Sequence, residues 1–246
     1  MSRNDAWVII PAKSFASAKQ RLSPILTGSE RAMLAQTMLA DVFRAAAGVS
    51  ELDNVAVITG ADEVAREASR FGARVIDDGE AIGTNQAIQA GLAAVHRRGA
   101  RCVVILPSDI PAVTSEDVSM LLDIAARGRV VIVPAPRDGG TNALAFDSPT
   151  RLETCFGTQS FVRHIAAANR AGIKPAVVPS VRLGLDIDQP GDLFRFLDLR
   201  TSTATDRYLR AIELAQRNVD RVAEAEFPVA GACLRDAGPE LLQLRM

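Results

Sequence analysis

The sequence predicts a doubly wound α/β sheet. Two observations carry that reading. Short Val- and Ile-rich runs recur along the chain without polar/apolar alternation, the pattern of strands buried on both faces of a parallel sheet. Ala-rich stretches with helical periodicity alternate with them, as a parallel sheet covered by helices on both sides requires. The chain has 246 residues, 48% of them hydrophobic, enough for one large core.

The strand runs fall at residues 6–11, 54–59, 74–76, 101–106, 130–134 and 174–178. The helical stretches fall at 29–47, 62–71, 84–98, 114–127, 158–171 and 190–199. In the first helix, Ser29 is the expected N-cap and Met33, Leu34, Thr37, Met38 and Val42 share one side. Both methionines read as core. Thr114 with Asp117 is a capping pattern for the fourth helix. Residues 1–200 therefore form one domain and 201–246 a C-terminal helical tail. In that tail 201–205 is a polar linker and 206–227 a helix with an apolar stripe of Tyr208, Ile212, Ala215, Val219 and Val222. The stripe docks on the main domain or forms a homodimer seam.

Composition excludes several classes. The net charge is −1, which argues against a broad nucleic-acid surface. One Trp, one Tyr and nine Phe provide no base-stacking platform. Cys102, Cys155 and Cys233 are odd in number, far apart and without a C-x-x-C pair, so neither a disulfide framework nor a structural zinc is expected. No apolar run reaches membrane-spanning length, and the start lacks a signal-type apolar segment. A cytoplasmic protein without a membrane partner is the expectation.

Ligands of such sheets bind beyond the carboxyl ends of the strands, which selects the loops at 12–24, 77–83, 107–113, 135–140 and 184–190. The first, PAKSFASAKQRLSP, has neither glycine-rich nucleotide fingerprint, but it sets Lys13, Lys19 and Arg21 after the first strand. These cations make an anion site or a solvated basic loop. In LPSDIP, Asp109 emerges between two prolines, as a hard-metal ligand or a turn residue. LGLDIDQP supplies Asp186 and Asp188. If extended, both project from one face and repel unless a cation lies between them; Mg²⁺ suits oxygen ligands and substrate phosphates. The other reading is that Asp188 caps the next helix. DGGTNAL offers two glycines and Thr141, and CFGTQSF offers Gly157, Thr158 and Ser160 at a helix start, either as anion sites or as plain turns. Asn85 reads a base or ribose edge, or is a first-turn residue without a ligand. His96 and His164 are read as surface or packing residues.

In this order, PAKSFASAKQRL, LPSDIP, DGGTNAL, FGTQSF and LDIDQPGDL resemble the 2-phospho-L-lactate guanylyltransferase family over about the first 200 residues. The resemblance implies a Rossmann-like, GT-A-type nucleotidyltransferase that joins GMP from GTP to 2-phospho-L-lactate, phosphoenolpyruvate or 3-phospho-D-glycerate on the route to a deazaflavin coenzyme. It implies Mg²⁺ on Asp109, Asp186 and Asp188, the acid on Thr141, Gly157 and Ser160, and phosphates facing Lys13, Lys19 and Arg21. The residues agree with that chemistry: an acceptor phosphate is already anionic, so lysines and aspartates suffice without a nucleophilic side chain. A nucleotide-sugar glycosyltransferase, another GT-A-type nucleotidyltransferase and a non-catalytic nucleotide-binding regulator are the competing classes. Transfer of a sugar, instead of pyrophosphate release, would mark the first.

Overall fold

The computed structural model describes residues 5–49, 54–78, 83–147 and 152–214. Seven strands form one sheet: β1 (Ala6–Pro11), β2 (Val55–Ile58), β3 (Arg74–Ile76), β4 (Cys102–Ile105), β5 (Val130–Ala135), β6 (Gly140–Asp147) and β7 (Pro175–Val177). The helices are α1 (Gly28–Ala47), α2 (Asp62–Arg70), α3 (Thr84–His96), α4 (Ser115–Ala125), α5 (Ser160–Arg170), α6 (Pro190–Asp198) and α7 (Ala204–Ala211), with a 3₁₀ turn at Gln20–Leu22. The strand order is β3-β2-β1-β4-β6-β5-β7, parallel except for β6, which runs antiparallel to β4 and β5.

Strand residues alternate between two cores, which is why the strand runs show no polar face. Val8 and Ile10 of β1 pack with Leu39 and Phe43 of α1 and with α4, whereas Trp7 and Ile9 pack with Ile88 of α3 and with Phe161 and Ala168 of α5. Helix α3 lies so close to β2 that a Cβ on Gly91 would meet Ile58 Cδ1 at 2.1 Å, so only glycine fits there.

Strand β6 was not expected from the sequence. Its first residues, Gly140, Thr141 and Asn142, look like a turn, yet only 136–139 form the loop of a β5–β6 hairpin. A register shift at Val133/Pro134 tolerates the proline inside β5. Other local readings also change. Thr27, not Ser29, caps α1, through a reciprocal pair with Glu30. Met33 is exposed while Met38 is buried. The capping box at Thr114 and Asp117 forms as expected.

Between β1 and β4 the chain reverses its direction of travel across the sheet: β2 and β3 lie on one side of β1, β4 on the other. The crevice at that switch point is where such sheets bind ligands.

The tail helix is shorter than the stripe suggested. The helix ends at Ala211, and Glu213 takes a left-handed φ of 52°. Ala215, Val219, Val222 and Cys233 lie outside the described residues. The described part docks on its own chain: Leu209 and Leu214 are buried with Leu34 and Met38 of α1 and Phe196 of α6. Asp41, buried on α1, accepts hydrogen bonds from the backbone N–H of Ala204 (2.9 Å) and Thr205 (2.8 Å), capping α7 from another helix. Among the described residues no helix is long and apolar enough to cross a membrane. Asp41→Ala is expected to destabilise the protein by about 2 kcal/mol, because two N–H donors lose their partner. Arg44→Ala, which removes only the exposed partner of the Asp41–Arg44 pair, is expected to cost less than about 1 kcal/mol. Denaturant unfolding of the two variants checks the contrast.

Candidate active site

Three loops bring the predicted charges together. Lys19 follows β1 and adopts a left-handed φ of 54°, an unusual conformation for a side chain other than glycine or asparagine. That conformation sets its Nζ 2.6 Å from Asp109 Oδ2 and 3.8 Å from Asp188 Oδ1. The side chain is only 10% exposed, so the expectation of a solvated Lys19 is corrected. Arg21 Nη1 donates to Asp188 Oδ2 at 2.5 Å. The loop bearing Asp109 is tied to the 186–188 segment by the N–H of Ile187, which donates to the Asp109 carbonyl at 3.0 Å.

Arg137, in the β5–β6 loop, is the residue that sequence reasoning passed over. Its guanidinium donates to Asp186 (2.5 Å) and Asp192 (2.5 Å) and lies 3.9 Å from Asp188. Asp192 also escaped notice. Its carboxylate accepts from the backbone N–H of Asp188 (3.0 Å) and Gln189 (2.8 Å). Asp192 and Gln189 are thus the cap of α6, which releases Asp188 from that role. The sequence signal was the Gln-Pro-Gly-Asp spacing of a capping box. For Arg137 it was a cation two residues before the glycine pair Gly139–Gly140, in a loop at the ligand-binding edge.

Asn142 Nδ2 donates to Asp186 Oδ1 at 3.3 Å. Burial, and after it the charge of Asp109, push the Asp186 carboxyl above the usual carboxylate range, while Arg137 and Asn142 pull it back. Asp109 and Asp186 therefore repel across the crevice. Among the described residues no three Asp, Glu, His or Cys side chains stand as a protein-only metal cage. The pair nevertheless fits Mg²⁺, which takes one or two carboxylates and completes its shell with water and substrate phosphates; Asp188 lies beside them, held by cations.

A cleft of about 690 Å³ opens on the β3 side of this cluster. Lys13, Lys19, Asp109 and Asp188 line one end, and Thr59, Gly60 and Asp78 line the part beyond β2. Lys13 is exposed in the cleft, with no ion-pair partner among the described residues.

The remaining predicted residues gather at the start of α5. The N–H groups of Phe161 (3.0 Å) and Gln159 (3.3 Å) donate to the carbonyls of Gly139 and Asp138, stitching this helix start to the hairpin loop. Gly157 is exposed with φ +120°, which favours glycine. Ser160 is fully buried and its hydroxyl has no hydrogen-bond partner among the described residues. Asn85 is committed elsewhere: its amide donates to the Phe156 carbonyl (3.0 Å) and accepts from the Phe156 N–H (2.7 Å), fastening α3 to the 155–157 segment.

Of the two readings of His164, packing is the one that holds: it is fully buried and lies edge-on against Phe156. Its Nε2 accepts from the Cys155 N–H at 3.0 Å, so the ring proton must sit on Nδ1, which donates to Thr141 Oγ1 at 2.9 Å. That bond leaves the Thr141 hydroxyl hydrogen free to donate.

The chain is similar in sequence and in fold to known proteins. The chain matches the family described as guanylyl transferase CofC like over residues 6–230. It is 36% identical to the 2-phospho-L-lactate guanylyltransferase of Methanothermobacter thermautotrophicus over 89% of this chain and 98% of that protein. The chain belongs to the CofC-like guanylyl transferase family. A 3-phospho-D-glycerate guanylyltransferase of Phenylobacterium zucineum is 35% identical over 76% of this chain and 87% of its own length. In fold, this family member resembles a Desulfovibrio desulfuricans G20 protein assigned to the nucleotide-diphospho-sugar transferases, with a TM-score of 0.74, 17% identity, and 88% of this chain and 100% of that chain covered. The CofC-like match extends to residue 230, past Leu199, where the sequence motifs end.

Burial holds the His164 pKa down, from 6.5 to about 4. The unfolded chain therefore binds the extra proton first as pH falls. This contribution is complete above about pH 6.5 and is lost progressively toward pH 4, at a cost of no more than about 3 kcal/mol. His164→Gln, which can still accept from Cys155 and donate to Thr141, is expected to flatten that part of the stability profile. Denaturant midpoints measured from pH 7 to pH 4 check it.

Proposed function

We propose that the protein transfers GMP from GTP to the phosphate of a small phosphorylated three-carbon acid, 2-phospho-L-lactate, phosphoenolpyruvate or 3-phospho-D-glycerate, in the synthesis of a deazaflavin coenzyme. The observation that carries this reading is the facing pair Asp109 and Asp186 with cations on either side, in a chain of the CofC-like family. An oxygen of the acceptor phosphate attacks the α-phosphorus of GTP. A new phosphoanhydride forms, the α–β phosphoanhydride breaks, and pyrophosphate leaves with the bonding electrons.

The chain's own residues align and neutralise. Lys13 meets phosphate oxygens in the cleft. Lys19 and Arg21 hold Asp109 and Asp188 in register. Asp109 and Asp186, with Asp188 alongside, would hold Mg²⁺, which would supply positive charge between donor and acceptor phosphates. Thr141, with the Gly157 backbone and the Ser160 hydroxyl, takes the acid; Asn85 supports that segment through Phe156.

Incubation with GTP, Mg²⁺ and each acid, read by mass spectrometry, is expected to yield a diphosphate-linked guanylyl product and pyrophosphate with at least one acid. A GMP ester of unphosphorylated lactate would overturn the reading. Asp188→Asn should cut turnover by about a hundredfold, as loss of one key electrostatic group does. Lys13→Ala should lower kcat/KM by about tenfold or more while leaving the melting temperature unchanged, since Lys13 is exposed and has no ion-pair partner among the described residues. Lys19→Ala should also lower the melting temperature, because it strips a partner from Asp109 and Asp188 together.

A further inference from the structure

Asp78 stands in the cleft without a role in phosphate or metal chemistry. It follows β3, is half-buried, and has no hydrogen-bond or ion-pair partner among the described residues. Strand β3 lies three positions from β4 in the sheet, so about 14 Å separates the loop bearing Asp78 from the loop bearing Asp109. A nucleoside triphosphate can reach across such a span, with its base at one end and its phosphates at the other. Ile58, Met38 and Ala87 line the cleft between them, so its wall there is apolar.

The approach of the carboxylate depends on Gly60. A Cβ at that position would come within 2.7 Å of Asp78 Oδ1. The bare α-carbon after β2 therefore keeps open the space the carboxylate occupies.

A carboxylate only accepts hydrogen bonds, and it accepts two in parallel. Among the four common nucleobases, guanine alone presents two adjacent donors, N1–H and the 2-amino group. Adenine and cytosine set an acceptor beside their amino group, and uracil flanks its single N–H with two carbonyls. A carboxylate at the base end also repels phosphate, so it favours binding with the triphosphate toward Lys13.

We propose that Asp78 is the residue that selects guanine, accepting from N1–H and the 2-amino group of the donor base, with Gly60 clearing its position. The proposal rests on the reading of GTP as donor.

The test uses the full-length protein and compares kcat/KM for GTP, ITP and ATP with an acid that supports turnover, alongside calorimetric Kd values for the three nucleotides. ITP keeps N1–H and lacks the 2-amino group. The wild type is expected to prefer GTP over ITP by about tenfold or more. Asp78→Asn, whose amide still accepts from N1–H but offers no second acceptor, should bring GTP and ITP within about threefold of each other. Asp78→Ala should do the same with weaker binding of both, and Gly60→Ala, which displaces the carboxylate without removing it, should narrow the gap in part. Each ratio is taken on one preparation, so it is independent of the folded fraction. A wild-type GTP/ITP ratio that survives in both Asp78 variants overturns the proposal. A wild-type protein that binds ATP as tightly as GTP overturns the guanylyl reading itself, and this proposal with it.

Discussion

Asp188 lies within 4 Å of three cations drawn from two separate loops, Lys19 at 3.8 Å, Arg21 at 2.5 Å and Arg137 at 3.9 Å. This sharing of charge is the constraint on which the rest of the site depends. Lys19 also holds Asp109, and Arg137 also holds Asp186 and Asp192, so four carboxylates are bound by three cations into one partly buried network. Such groups tolerate removal from water only when each has a partner. The network therefore locks the loop after β1, the loop after β4, the β5–β6 hairpin and the segment before α6 into one arrangement. The left-handed backbone of Lys19 is part of the cost of that arrangement, recovered where its side chain meets two carboxylates.

The network also divides the crevice by chemistry. On the β1–β3 side lie the exposed Lys13 and an apolar lining, suited to a nucleotide. On the β6 side lie the Thr141 hydroxyl, oriented by a neutral buried imidazole, and the start of α5. The aspartates stand between. A substrate phosphate on either side thus meets the same charge cluster, which is the geometry a transfer between two phosphates needs. Strand β6 makes this possible. Because it runs antiparallel, its first residues, Thr141 and Asn142, arrive at the same sheet edge as the last residues of β1 and β4. A parallel strand there would have delivered its end to that edge instead.

The sequence by itself determined the sheet and most of its helices. Runs such as Val55–Ile58 and Cys102–Ile105 are buried on both faces, so their composition had to announce them, and the helices between them declared their period. It also determined the family, because five loop motifs in one order leave little freedom. What the tertiary structure alone decided was partnership. Strand β6 was hidden because its glycines and polar residues read as a turn; only pairing with β4 and β5 makes it a strand. His164 read as either a surface or a packing residue, because helical position says nothing about what an opposing strand offers, here Thr141 on β6 and the Cys155 N–H. Arg137 and Asp192 went unread because each is ordinary in its own loop, and they meet across 55 residues of chain. Periodicity and motifs are local properties and can be read from one segment. Ion pairs, caps from a distant helix and tautomers belong to two segments at once, and only the folded chain brings those segments within a few ångströms.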